Sequence, residues 1–405
     1  MLIRFKIALR NCFRNRRRSL LNISMIAGGV CAIILFRGFA SRLLLDVQET
    51  TISTQSGQIT LADKKFWDQS ARSPSENLLP NSNNLTERIR KLPHVKAVAG
   101  RLDFYGLLST SETTLSARGM SVDTKEEAGK LAALSMEQGT ALQPGLDSQM
   151  MLGAGLAKKL RVKLGDTSTI LAYTFDNVVN ALDVTVVGVF RSGLAEFDDT
   201  TFLVPLASVQ RLLDTDKVEQ IAIRLDATPA TDAVVKDIGT VLAGTTVDVR
   251  TWKSLSNLYR QVDSFFKTQN RVIETILLTL ILLGVLNTVG MSVLERAGEI
   301  GTVRALGYTE GAVLAEFLLE GLCLGILGAV VGVVLGTAIA LFLSSLGMAM
   351  VVPGASRPVH IRIELSVAQY LIAVTVALLA STLAAIAPAL RASRMQIVDA
   401  LRHNV

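Results

Sequence analysis

"VLERAGEIGTVRALGYTEG", from Val293 to Gly311, is a short charged passage set between two strongly apolar stretches. What those flanking stretches are decides the fold. The chain has 405 residues, of which 50% are apolar and only 19% charged, whereas a soluble domain is usually about a quarter charged. Mean hydropathy is +0.41, and the shortage of charge is local. Charges nearly vanish from Asn22 to Phe36, Val272 to Leu294, Val313 to Leu346 and Val367 to Leu390. A helix needs roughly 20 apolar residues to cross a bilayer core of about 30 Å. The last three runs meet that length, and the first does so once it continues through Arg37 towards Leu45. Four such runs predict transmembrane helices in preference to buried core helices.

Basic residues near the ends orient the spans. Lys6, Arg10, Arg14, Arg16, Arg17 and Arg18 precede the first span, Arg296 and Arg304 lie between the second and third, and Arg391, Arg394 and Arg402 follow the fourth. The connection Gly347–Glu364 carries only Arg357 and Arg362. Both termini are therefore expected in the cytoplasm, with the protein multi-pass in the cytoplasmic membrane. The sequence pI near 9.3 is then a topology signal and not a nucleic-acid signature. The first apolar run is too long for a signal-peptide core, and no small-x-small cleavage site directly follows it, so a retained anchor is expected. Cys12, Cys31 and Cys323 all fall in cytoplasmic or membrane regions, which leaves the outer segment without a disulfide framework.

Three regions follow: 1–45, an amphipathic segment and the first span; 46–268, an extracytoplasmic domain inserted between spans one and two; and 269–405, with the remaining spans. In Met1–Ser19, apolar residues alternate with Lys and Arg at roughly helical spacing, as in a helix lying on the inner membrane surface or a plain positive flank. The inserted segment shows strand-like runs at Gly57–Leu61, Lys96–Ser109, Leu115–Arg118, Thr167–Tyr173, Asp183–Phe190, Thr201–Val204, Gln220–Leu225 and Thr246–Arg250. Helix-like pieces fall between them at Thr86–Lys91, Gly155–Leu160, Leu206–Leu213 and Thr231–Leu242, which makes a large mixed α+β domain. Ser70–Leu85, rich in Ser, Asn and Pro, reads as a mobile loop. No Pro or Gly interrupts the chain from Ser41 to Ser56 or from Thr251 to Leu283. Leu258, Val262, Phe265 and Phe266 share one helix face. Spans one and two are therefore expected to continue outward as stalks.

Enzymatic chemistry is missing. No GxxxxGK[ST] phosphate loop and no HExxH occurs, and His94, His360 and His403 belong to three different regions, so neither a nucleotide nor a metal site is expected in the chain. Arg37, Glu274, Glu316 and Glu320 are the ionisable residues of the spans, all near an interface, where anchoring or pairing with basic residues is expected over a proton relay. Gly321 and Gly325, and then Gly328, Gly332 and Gly336, stand four apart and predict close helix packing. The partner can be span four or a second subunit.

The passage from Glu295 to Glu310 thus becomes a cytoplasmic turn between spans. Ile300, Val303 and Leu306 mark one side of a short helix that Gly307 can end in a left-handed cap. Such a helix is marginal alone in water and needs a membrane surface or a protein groove to hold it.

"ERAGEIGTVRALGYTEGAVLAEFLLEGLCLGILG" resembles the FtsX-like permease domain of MacB-type ABC transporters, with its E-R-x-x-E-I-G-x-x-R-A-L-G pattern. Ala387–Arg402, "APALRASRMQIVDALR", is similar to the ending of that family, with Ile397-Val398 where proline is common. "ALRNCFRNRRRSLLNISMIAGG" looks like its start. "GQITL", "MLGAGLAKKLRVKLGD" and "VVGVFRSGLAEFDDTTFLVPLASVQRLL" resemble the periplasmic region of lipoprotein-releasing permeases of the LolC/LolE type.

The resemblance implies a permease subunit without its own ATPase site. A partner ABC ATPase dimer would bind ATP and Mg and push on a coupling helix near Ala297–Leu306, and the stalks would move the outer domain, a mechanism called mechanotransmission. Glu295, Arg296, Glu299, Ile300, Arg304, Leu306 and Gly307 are the implied coupling residues, with Glu299 and Arg304 as candidate ATPase contacts. A second permease, the same chain or a related one, is implied, and a periplasmic adaptor or acceptor is a further candidate partner beside membrane lipids. The expected cargo is a lipoprotein, lipid-linked or amphiphilic substrate taken from the periplasmic side. Macrolide or peptide efflux, and a transmitter that activates a cell-wall hydrolase without transport, are the alternatives.

Overall fold

The computed structural model describes residues 10, 16–68, 74–79, 83–350, 355–356 and 358–396. Most of the Met1–Ser19 lead-in and the family-like ending beyond Gln396 lie outside the described residues. The chain divides into two compact units: Met1–Leu44 with Val262–Met348 and His360–Val405, and Leu45–Gln261 with Ala349–Val359.

The helices in chain order are α1 (Arg16–Thr51), α2 (Lys64–Asp68), α3 (Asn83–Arg90), α4 (Ala128–Ala133), α5 (Ala154–Leu160), α6 (Ala195–Thr200), α7 (Leu206–Leu213), α8 (Thr231–Val241), α9 (Trp252–Leu255), α10 (Asn257–Glu295), α11 (Ala297–Ala305), α12 (Glu310–Ser345) and α13 (Val367–Ser393). Among the described residues, the four apolar enough to cross a membrane are α1, α10, α12 and α13, as the sequence predicts. At 1.5 Å per residue, the 39 residues of α10 make a rod of about 58 Å, roughly twice a bilayer core.

In the membrane unit the glycines decide which helices touch. A Cβ on Gly332 would stand 2.8 Å from the Ala27 carbonyl oxygen and 2.6 Å from Val30 Cβ, and one on Gly328 2.6 Å from Ile26 Cβ. Gly336 faces Cys31 and Ile34. These three pack α12 on α1. Gly321 and Gly325 instead meet Ser381 and Ala385 of α13. Both glycine runs are therefore used inside the chain, where hydrocarbon gives no hydrophobic drive and close backbone contact must hold helices together. Ala373, Ala377, Ala380 and Ala384 carry the same logic along α13. Its start is a capping box between Ser366 and Gln369, and the Gln369 amide also donates to Ser41 Oγ at 3.0 Å.

Among the described residues, the second unit holds a four-stranded and a seven-stranded sheet, beside a short two-stranded pairing of Ala349–Met350 with Val359–His360. Its strands are β1 (Ile59–Asp63), β2 (Val95–Arg101), β3 (Asp103–Ser109), β4 (Thr114–Val122), β5 (Ser135–Gly139), β6 (Gln149–Gly153), β7 (Thr167–Tyr173), β8 (Val179–Arg191), β9 (Thr201–Pro205), β10 (Gln220–Leu225) and β11 (Val247–Thr251). One sheet is antiparallel with order β11-β1-β10-β2. Ile89 of α3 and Val234 and Ile238 of α8 complete a core with Ile59, Leu61, Ile221 and Ile223 of its strands. The other sheet runs β5-β8-β6-β9-β4-β3-β7, and β8 also pairs β7. The first half of β8 lies on β7 and its second half on β6 and β5, so the sheet closes as a small barrel. Phe104, Phe202, Met150 and Leu152 fill it.

Several sequence expectations change here. The single run Lys96–Ser109 is two strands, because Arg101 still pairs in the first sheet while Asp103 starts in the barrel. β5 and β6 are additions to the expected strands, and β6 is buried. The Ser70–Leu85 loop gives way at Pro74–Leu79: Pro74–Asn77 is a 3-10 turn, and buried Leu79 exchanges backbone bonds of 2.7 and 3.1 Å with Val218. Residues 70–73 and 80–82 of that stretch lie outside the described residues.

Helices α1 and α10 join neighbouring strands of one sheet. α1 ends in a π-turn, Ile52–Ser56, and runs into β1. β11 leads through α9 into α10. β1 and β11 are paired, with Ile59 opposite Thr251, and the Trp252 N–H donates to the Gln58 carbonyl at 3.0 Å.

Candidate functional site

The turn between α10 and α12 is built by two arginines that reach inward. Arg296, at the N-cap of α11, donates to Glu316 at 3.1 Å and lies 3.5 Å from Glu320, both one turn apart on α12. Its guanidinium sits 5.5 Å over the Phe317 ring and lies 3.4 Å from Glu299. Ser292 also reaches Glu320 at 3.4 Å. The carboxylates expected to pair with basic residues thus pair with Arg296, and the arginine side chain is only 15% exposed. At the other end of α11, Arg304 donates to the Met395 carbonyl after α13 and to Glu310 at 3.0 Å. Arg18 on α1 reaches Glu295 on α10. The turn is tied to all four long helices.

Gly307 ends α11 at φ +99°. Its N–H donates to the Arg304 carbonyl at 3.0 Å, and the Tyr308 N–H to the Val303 carbonyl at 3.2 Å. That pair of bonds is a Schellman motif, which needs the left-handed residue that glycine supplies without strain.

The apolar side read from the sequence divides. Ile300 is buried in the bundle, while Val303 is 41% and Leu306 83% exposed. Arg304 points into the bundle and Glu299 is half exposed. The open surface of the turn is therefore Glu299, Val303 and Leu306, with Thr302, Ala305 and Gly307 beside them. The Arg296 and Arg304 contacts escape a reading of the sequence because they join residues far apart in the chain, and spacing carries no mark of them. On the stalk face, Leu258 and Phe265 are exposed and Val262 and Phe266 half-buried. The Phe265 and Phe266 rings meet edge to face at 5.5 Å. On the other side of the membrane unit, Arg37 of α1 pairs with Glu274 of α10, and the Glu364 N–H donates to the Gly38 carbonyl at 3.1 Å. Among the described residues, no group of His, Cys, Asp and Glu could hold a metal ion.

Residues 271–397 match the FtsX-like permease C-terminal model, and residues 19–241 match the MacB-like periplasmic core domain model. The chain is similar to the lipoprotein-releasing system transmembrane protein LolC of Xylella fastidiosa strain 9a5c, 26% identical over 70% of this chain and 72% of that protein. It is similar to LolC of Neisseria meningitidis serogroup B, 23% identical over 95% of this chain and 94% of that one. The macrolide export ATP-binding/permease protein MacB of Acinetobacter baylyi is 22% identical over 82% of this chain and 50% of its own length. A bundle of four long helices, an inserted α+β domain and two family models that cover residues 19–241 and 271–397 agree. The chain belongs to the FtsX-like permeases with a MacB-like periplasmic core domain, and is a membrane-spanning ABC transporter permease of the LolC/MacB type.

Proposed function

We propose that this permease extracts a lipoprotein or another lipid-linked amphiphile from the periplasmic side of the inner membrane, driven by a partner ABC ATPase. In this reading both termini and α11 are cytoplasmic, and ATP and Mg bind in the partner. The ATPase seats Leu306 and Val303 in a groove and meets Glu299. Arg296 and Arg304 hold the turn rigid, so a push on α11 passes into α10 and α12. Stiff α1 and α10 then displace β1 and β11, and with them the periplasmic domain. A second permease, the same chain or a related one, completes the complex.

The observation that carries the reading is an exposed apolar tip, Leu306, on a short helix clamped at both ends. A nine-residue helix gains little stability on its own, and an 83% exposed leucine fits a partner groove. The cargo reading leans on similarity to LolC proteins along most of the chain. Similarity to a macrolide exporter favours efflux of a smaller amphiphile as the second reading.

Purification of the permease with its cognate ATPase, followed by mass spectrometry of the copurifying substrate, tests the cargo. Acylated protein released on ATP addition is the expected result. A small amphiphile in its place selects the second reading, and a cell-wall hydrolase with no cargo contradicts both.

A further inference from the structure

The inserted domain buries a charge cluster that has no part in the coupling turn. Arg101, the last residue of β2, donates through Nε to Glu127 Oε1 at 2.9 Å and also through Nη2. Glu127 Oε2 accepts the Asp123 N–H at 3.2 Å. Lys130, 3% exposed on α4, stands 3.8 Å from the same Glu127 Oε1. Its ammonium makes no hydrogen bond among the described residues. One carboxylate therefore faces two cations and is bonded to only one of them.

The location gives the cluster its meaning. α4 follows β4 and precedes β5, so by connection it belongs to the barrel. It packs against the π-turn that ends α1, and a Cβ on Gly129 would collide with the Arg224 guanidinium of β10. α4 is thus barrel chain lying on the first sheet and on the top of a stalk. A π-turn is a rare, adjustable ending for a helix, and Ile52–Ser56 brings no charge of its own. The charges that act on Lys130 are Arg101 on β2, Glu127 at the N-cap of α4, Asp103 on β3 and Arg118 on β4.

We propose that α4 is the joint that passes stalk displacement into the barrel, by letting Glu127 exchange between Arg101 on β2 and Lys130 on its own helix. This rests on the mechanical reading above. With Glu127 on Arg101, the barrel is fastened to the four-stranded sheet. With Glu127 on Lys130, the ion pair lies within the α4 turn and the tie from β2 to α4 is given up, so that Leu102, bonded to Ser121, is left as the hinge between sheet and barrel. Two discrete ionic arrangements make a bistable element, which a small shift at the stalk can flip. Burial also pulls the Lys130 pKa from the ordinary 10.5 to about 8, so the second arrangement weakens once the ammonium loses its proton.

The test uses the full permease with its ATPase in nanodiscs, in a background with Cys12→Ser, Cys31→Ala and Cys323→Ala. Spin labels at Asp176→Cys on the barrel and Asp237→Cys on α8 report the joint. A second pair, Glu49→Cys and Arg260→Cys, reports the stalks. With ATP and vanadate, both distances are expected to shift. Lys130→Met should abolish the barrel shift and leave the stalk shift intact, while Lys130→Arg should keep both. Raising the pH through about 8 should abolish the barrel shift in the wild type but not in Lys130→Arg. A barrel shift that survives Lys130→Met, or stalks that move with no barrel shift in the wild type, overturns the joint alone. Motionless stalks in the wild type overturn the mechanical reading and the joint with it.

Discussion

Arg296 and Glu316 form an ion pair 3.1 Å long that ties the first turn of α11 to the third membrane helix. Their side chains are only 15% and 24% exposed, so water screens the pair weakly. Removing the arginine takes away the guanidinium that pairs with both Glu316 and Glu320. Arg296→Gln should cost about 2 to 4 kcal/mol in thermal unfolding of the purified permease. Glu316→Gln should cost about 1 kcal/mol, and the double variant should show coupling well beyond simple addition. Additive losses would mean that the pair does not hold the turn.

Glycine contacts give a second expectation. Gly332→Leu would drive a side chain into Ala27 and Val30 and should lower stability by about 2 to 3 kcal/mol, with loss of folded protein in detergent. On α10, a Cβ added at Gly290 would meet nothing within 4 Å, so Gly290→Leu should be tolerated in the isolated permease. Equal behaviour of the two variants would contradict the assignment of α1 as the partner of Gly332.

The buried charges of the inserted domain set a pH dependence. Lys130 keeps its proton in the fold only below about 8, against the ordinary 10.5 in the unfolded chain. The unfolded chain therefore binds that proton more strongly, and stability rises with pH from about 8 to 10.5 and is lost again as pH falls through about 8. The difference is worth about 3 kcal/mol, so Lys130→Met should raise stability at neutral pH by roughly that much, and the gain should fade above pH 10.5. Glu219 runs the other way. Burial, and then the nearby Asp103 charge, lift its carboxyl to about 7 from 4.5. Its protonated form supports the fold below 4.5, and that support is lost as pH rises through about 7. Glu219→Gln should flatten this part of a melting-temperature profile.

The exposed tip of α11 gives a fourth expectation. Leu306→Asp with Val303→Asp alters side chains that are 83% and 41% exposed and should leave stability within about 1 kcal/mol of wild type. Copurification of the ATPase should be lost. A stable variant that still binds its ATPase would place the docking surface elsewhere.

The four spans are legible in the sequence because crossing a membrane depends on one additive property, apolar length. The end of α11 is legible as well, since Gly307 supplies the positive φ of its Schellman motif locally. What sequence does not supply is pairing over distance. Gly328–Gly336 announces a close packing without saying that α1 supplies the other side. The resemblance marks Arg296 as a candidate coupling residue, yet its bonds to Glu316 and Glu320 depend on how the turn folds back. The run Lys96–Ser109 hides the passage from one sheet to the other at Leu102, because both strands share the same β-forming composition. β6 escapes notice since its Met-Met-Leu-Gly core is weakly β-forming and owes its strand to pairing with β8 and β9.

In the proposed mechanism Leu306 is a cytoplasmic contact of the ATPase. The most direct test of that contact is labelling of Leu306→Cys, with the native cysteines replaced, by a membrane-impermeant maleimide. The account predicts labelling in inside-out vesicles stripped of ATPase, protection when the cognate ATPase is added back, and none in spheroplasts. Labelling in spheroplasts, or labelling in inside-out vesicles that the ATPase leaves unchanged, would contradict it.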